Sequence, residues 1–182
     1  AVFLRFDSFL SRLPSGVQLF SMFHANPQLL DLVTEILGKA PRLAEHLSNR
    51  PADLDSVLTR DFFDSPPDKN TLLEELNGLL GRTDVFEQKL DISRRWNNDR
   101  RFQIGVQCLR GAIQPSDAGT AFSNIAEIAI SGLYPVVEDE FVRQHGRILG
   151  AGMAVLALGK LGSREMSASS DLDLVFIYDT PE

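Results

Sequence analysis

The 182-residue chain is 43% hydrophobic, enough for a sizeable core in one domain or one and a half. Its 18 basic and 25 acidic residues leave a net charge of −7. This argues against a nucleic-acid partner, because such binding depends on neutralising phosphates with Lys and Arg. The single cysteine, Cys108, excludes an internal disulfide and fits a reducing compartment. The start, "AVFLRFDSFL", has no basic segment leading into an apolar one and does not read as a signal peptide. The longest apolar stretch, Met153 to Leu158, is too short to span a bilayer, so a soluble cytoplasmic protein without a membrane partner is expected.

The first 145 or so residues read as helices. "PQLLDLVTEILG" sets Leu29, Leu30, Val33, Ile36 and Leu37 at helical spacing, with Asn26 as expected N-cap, Pro27 in first position and Gly38 as stop. "PRLAEHLSNRP" repeats the layout between Pro41 and Pro51. "DSPPDKN" is a loop, since Pro66 and Pro67 cannot continue a helix, and "KNTLLEELNGLLGR" follows with Leu72, Leu73, Leu76, Leu79 and Leu80, closed by Gly81. A longer helix is predicted from about Val85 to Leu109 through Phe86, Leu90, Trp96 and Ile104. Another begins after "QPSD" and runs to about His145, with Pro135 expected to kink it. Phe20, Met22, Phe23 and Cys108 read as core.

Beyond "HGRILGAG" the texture changes. "MAVLAL" and "LDLVFIYD" are short apolar runs with strand character, separated by Gly159, Gly162 and the small polar run "SASS". The fold class is therefore mostly α: a helical region over residues 1–147, then a sheet-containing part over 148–182.

The second run carries Asp171 and Asp173. In a strand, residues i and i+2 share a face, so both carboxylates are expected to aim at one point while Leu172 and Leu174 enter the core. Like charges this close repel, and a divalent cation such as Mg²⁺, which favours hard oxygen ligands, holds both ionised. The tripeptide alone says little, since "DLD" recurs at Asp53 to Asp55, where acidic residues suit a helix start. Context separates the copies. Before Asp171, an apolar strand ends at Gly159 and eleven residues intervene. Glycine at a strand-to-helix turn lets backbone approach a phosphate, and the next helix directs N–H groups at it.

On these residues the chain resembles the nucleotidyltransferase superfamily that includes DNA polymerase β. More narrowly, "ALGKLGSREMSASSDLDLVFIYD" resembles the glutamine synthetase adenylyltransferases, whose block reads as strand, "GKLGGRE", small polar residues and "SSDIDLIF". Gly159 fills the glycine position and Asp171 and Asp173 the two aspartates; Ser163 replaces the second glycine of "GG". The resemblance implies an α/β nucleotidyltransferase (polymerase β-like) domain, begun here and preceded by a helical bundle. Residues 9–55 resemble the lead-in to the C-terminal, AMP-attaching half of those two-site enzymes.

The implied activity is transfer of AMP from ATP to a tyrosine of glutamine synthetase, regulating nitrogen assimilation. Asp171 and Asp173 would be the catalytic and metal-binding residues, Mg²⁺ the metal, and Gly159, Lys160 and Ser170 the phosphate-binding residues. Glutamine synthetase is the implied partner, with a PII signal protein as a possible regulator. The superfamily's third carboxylate is expected beyond Glu182, so these residues alone are expected to be inactive. The adenylyl-removing half of the same enzyme, another nucleotidyltransferase and a helical docking module are the competing readings.

Each residue also has a plainer reading. Lys160 follows a glycine turn, where lysines are common. Arg164 and Glu165 suit a local salt bridge as well as a ligand contact. Arg94, Arg95, Arg100 and Arg101 around "WNND" form either a partner-binding patch or a solvated helix face, the latter favoured. His24, His46 and His145 lack metal-ligand spacing and read as surface or capping residues.

Overall fold

The computed structural model describes residues 16–150 and 152–179. They form eight helices and two strands: α1 (Gly16–Ala25), α2 (Pro27–Lys39), α3 (Pro41–Asn49), α4 (Asp53–Val57), α5 (Lys69–Leu80), α6 (Phe86–Leu109), α7 (Pro115–His145), β1 (Gly152–Ala157), α8 (Gly159–Gly162) and β2 (Leu174–Asp179). Two compact units result, each taken over its described residues: Ala1–Asp64 with Gly105–Ile113, and Ser65–Ile104 with Gln114–Glu182. Among the described residues no helix is long and apolar enough to cross a membrane.

In the first unit, α2 buries Leu29, Leu32, Val33, Ile36 and Leu37, the i, i+3, i+4, i+7, i+8 stripe of an amphipathic helix. Leu30 lies off that stripe and is exposed, whereas Leu32 takes the core position. Pro27 opens the helix as expected, but Asn26 makes no side-chain cap, and Gly38 lies inside the helix, which ends at Lys39. Ala40 alone joins α2 to α3: its amide donates to Ile36 O at 3.0 Å, and its carbonyl accepts from the Ala44 amide at 2.9 Å. Pro41 enforces that turn because its ring disfavours helical backbone at the preceding residue. Phe23 is buried, Met22 half-buried, and Phe20, expected in the core, is 59% exposed.

The first "DLD" opens α4, with Asp53 and Asp55 in its first turn. Asp53 Oδ2 also lies 2.6 Å from His46 Nε2, so His46 is a half-buried tether between α3 and α4. Gln107, at the end of α6, is fully buried and donates through Nε2 to the carbonyls of Phe62 (2.6 Å) and Asp64 (2.9 Å). An irregular segment needs such a partner, because buried carbonyls without donors are costly.

In the second unit, α5 is capped by Asp68, whose carboxylate accepts from the Thr71 amide at 2.8 Å. That bond holds the Asp68 carboxyl below its ordinary range. Leu72, Leu76 and Leu80 make the buried row, with Leu73 and Leu79 half-buried beside it. They meet α7, where Gly132 leaves room for the Leu76 side chain. The α7 helix runs unbroken through Pro135 to His145, and Gly146 caps it. Its buried face runs through Ala118, Ala121, Phe122, Ile125 and Ile128.

The strands pair antiparallel, in register from Gly152↔Asp179 to Ala157↔Leu174. Two strands cannot cover both faces of a sheet, and Phe176, Ile177 and Tyr178 are all exposed.

Candidate active site

The site begins where β1 ends. Leu158 is extended and Gly159 turns the chain with φ +52°, a left-handed conformation in which a Cβ is unfavourable. A side chain at 159 would also drive its Cβ into the carboxylate of Asp173, with Cγ at 3.3 Å and Oδ2 nearer. Gly162 closes α8 against β1: a Cβ there would come within 2.7 Å of Ala157 O. Ser163 has φ −80° and ψ −6°, a conformation open to any residue, so serine in place of the family's second glycine changes no backbone requirement. Buried Leu161 and Met166 anchor the turn on the unit's core.

Arg164 is the one non-glycine residue with positive φ (+60°) among the described residues. Its guanidinium donates to Glu127 Oε2 at 3.1 Å and to Asn124 Oδ1, both on α7. Glu127 also takes a 2.6 Å bond from Lys69 of α5. Chiefly that bond, with a further one from Arg164, holds the Glu127 carboxyl below its ordinary value despite partial burial. Glu165 Oε2 accepts from Ser163 Oγ at 3.2 Å. The family-block arginine is thus an ion-pair residue.

The small polar run closes on itself. Ser170 Oγ accepts from the Ser167 amide at 2.9 Å and lies 2.9 Å from Ser167 Oγ. The Ser170 amide donates back to Ser167 O at 3.1 Å. The Ser170 hydroxyl proton is directed either at Ser167 Oγ or outward.

The D-x-D segment departs from expectation. β2 begins at Leu174, so Asp171, Leu172 and Asp173 precede the strand. Leu172 is 45% exposed and Leu174 half-buried, so neither is a core anchor. Strand alternation does not orient the pair. Instead the Leu158 amide donates to the Asp173 carbonyl at 2.8 Å, locking Asp173 beside Gly159. This bond extends the β1–β2 pairing by one rung, and it brings the glycine and the second aspartate of the motif into contact.

Both aspartates and Lys160 are exposed, on an open surface. Two cavities of about 510 Å³ each line α7 and the sheet, and neither includes Gly159, Lys160, Asp171 or Asp173. What the loop offers is two exposed carboxylates, that of Asp173 lying beside the glycine turn, and carboxylate oxygens are the hard donors that suit a divalent cation. Among the described residues no third His, Cys, Asp or Glu groups with Asp171 and Asp173.

The arginines around "WNND" are largely spoken for within the chain. Arg94 pairs with Asp91 (2.8 Å) and Arg100 with Glu75 (2.5 Å). Arg101 donates to Ala168 O at 2.7 Å, a contact with the site loop that no local spacing reveals because 67 residues separate the two. Of the other plain readings, His24 is exposed, the His145 ring tilts against Phe141 at 4.8 Å, and Cys108 is half-buried rather than core.

Residues 30–182 match the family Glutamate-ammonia ligase adenylyltransferase. The chain is 45% identical over 176 residues to the bifunctional glutamine synthetase adenylyltransferase/adenylyl-removing enzyme of Brucella melitensis biotype 1, covering 97% of this chain and 18% of that protein. The protein of the same description from Bartonella henselae is 43% identical over 181 residues, 100% of this chain and 19% of its own length. That from Xanthobacter autotrophicus is 44% identical over 173 residues, 95% and 17% respectively. The chain thus spans less than a fifth of each of these relatives. The chain belongs to the glutamate-ammonia ligase adenylyltransferase family.

Proposed function

We propose that this chain is a segment of a cytoplasmic glutamine synthetase adenylyltransferase, which moves AMP from ATP to a tyrosine of glutamine synthetase. In this reading residues 1–147 are a helical region and 148–182 begin the nucleotidyltransferase domain. The observation that carries it is the contact between Gly159 and Asp173, which brings the glycine turn and the second aspartate of the motif together.

The family's named reaction requires three tasks of the protein: hold a triphosphate, orient a hydroxyl towards its α-phosphorus, and stabilise the negative charge that develops. The N–H groups opening the turn after Leu158, with the Lys160 ammonium beside them, suit the β- and γ-phosphates. Ser170 retains a hydroxyl proton that a phosphate oxygen can accept in place of Ser167 Oγ. Asp171 and Asp173 are the pair suited to Mg²⁺, which when bound would offset phosphate charge and lower the pKa of the attacking hydroxyl. The chain's own contribution is to keep the Asp173 carboxylate fixed over Gly159, so the donor is in place before substrate arrives. The lead-in resemblance favours the AMP-attaching half over the adenylyl-removing one. A third carboxylate supplied from outside these 182 residues completes the site in this reading, so the isolated chain is inactive.

The test is transfer of labelled AMP from Mg·ATP to glutamine synthetase by the full-length enzyme and by its Asp171→Asn/Asp173→Asn variant. Loss of labelling with unchanged folding supports the proposal. Labelling of an RNA instead of glutamine synthetase, or full activity of the variant, overturns it. A regulatory partner such as a PII signal protein is tested separately, by its binding to the same variant.

A further inference from the structure

The loop between Gly159 and Leu174 is held to the helices of its own unit by two arginines, approaching from different elements. Arg101, on α6, reaches the loop from outside and donates to Ala168 O, three residues before Asp171. Arg164 lies within the loop and reaches out, to Glu127 and Asn124 on α7. Between them, Met166 is buried, and the Arg164–Met166 backbone lies at van der Waals distance from where a Cβ at Gly119 of α7 would sit. The left-handed backbone at Arg164 is unfavourable for a residue with a side chain, and it persists where surrounding contacts over-determine it. The Glu127 and Asn124 bonds are those contacts. Lys69 completes the chain of ion pairs to α5.

We propose that Arg101 and Arg164 are positioning residues for the nucleotide site: they fix the loop so that, before metal and nucleotide bind, Asp173 stands over the Gly159 turn and Asp171 is held two residues before it. Neither touches the reacting groups. Each acts through the backbone between the glycine and the aspartates, Arg101 at Ala168 and Arg164 at the exit of α8. An exposed loop with few buried side chains loses entropy when it closes on a ligand, and fastening it beforehand removes part of that cost from binding. The inference rests on the adenylyltransferase reading of this loop.

The experiment uses the full-length enzyme and its Arg101→Gln, Arg164→Gln and Arg164→Lys variants. Mg·ATP affinity is measured by calorimetry, and amide exchange is followed over residues 163–173 and over α6 and α7. Both glutamine variants are expected to weaken Mg·ATP roughly 10- to 100-fold, the scale of lost outer-shell support at metal sites. Exchange should quicken in 163–173 with α6 and α7 unchanged, and Arg164→Lys should recover part of the affinity through Glu127. Wild-type affinity in both glutamine variants overturns the proposal, as does an affinity loss that comes with faster exchange throughout α6 and α7. The Asp171→Asn/Asp173→Asn variant separates the two layers of argument. If it binds Mg·ATP like wild type, the site reading fails and the positioning role falls with it; if it loses binding while the arginine variants keep theirs, only the positioning role fails.

Discussion

The Asp173 carboxylate lies against the α-carbon of Gly159, and the Leu158 amide is bonded to the Asp173 carbonyl at 2.8 Å. The two ends of the G-x11-D-x-D spacing are therefore in contact, and the thirteen residues between them, 160–172, form a closed loop. Glycine is needed there twice over: for a φ of +52° and for the volume that Asp173 occupies. Gly159→Ala should cost about 1–2 kcal/mol in the left-handed conformation alone. Displacement of Asp173 should then weaken Mg·ATP binding more than it lowers thermal stability. Calorimetric titration beside a melting curve checks this; equal Mg·ATP affinity in the variant would show that the contact does not matter for the site.

Asp171 and Asp173 are exposed and make no side-chain ion pair among the described residues. Replacing either by Asn should leave urea-unfolding stability within about 0.5 kcal/mol, as for most surface substitutions without buried partners. Magnesium-dependent nucleotide binding should disappear in the double variant. A large stability change would mean that the carboxylates are structural.

Ser163 sits where the family carries a second glycine, yet its backbone is ordinary right-handed helical. Ser163→Gly should leave Mg·ATP affinity unchanged. It should also lower stability by about 0.4–1 kcal/mol, because glycine enlarges the unfolded ensemble. An increase in stability would point to strain at this position.

Glu127 receives Lys69 and Arg164, and its carboxyl lies below the ordinary value of 4.5. A lowered folded-state pKa gives stability that is fully present above the unfolded value and lost as pH falls through the folded one. The tie between α5, α7 and the loop should thus weaken progressively below about pH 4.5. Glu127→Gln should flatten that part of the stability curve, read from denaturant midpoints between neutral pH and pH 3. The effect should shrink in high salt, since the pair is partly exposed. An unchanged acid limb in the variant would remove Glu127 from the account.

Gln107 holds the Phe62 and Asp64 carbonyls from a fully buried position. Gln107→Leu keeps the volume but removes both donors, and should destabilise the protein by about 1–3 kcal/mol for each buried carbonyl left unsatisfied. Chemical denaturation measures it, and a neutral result would mean that water reaches those carbonyls.

Local sequence determined the helices, because periodic leucines, prolines at helix starts and glycine stops act over one or two turns. It also determined the motif, since the spacing from Gly159 to Asp171 and Asp173 is itself one-dimensional, and it separated the helix-start "DLD" at Asp53 from its second copy. What it could not supply was anything requiring two distant segments at once. Leu30 and Leu32 look equally apolar in the chain, and only the stripe facing α2's neighbours chose Leu32. The strand expected at Asp171 starts at Leu174, because pairing with β1 runs from Ala157 and a single further bond places Asp173. Arg101 and Glu127 carry no local mark of their contacts to the site loop, which cross 67 and 37 residues. Side-chain hydrogen bonds of that range depend on where the folded helices bring their donors, so the anchoring of this loop was decided by tertiary structure alone.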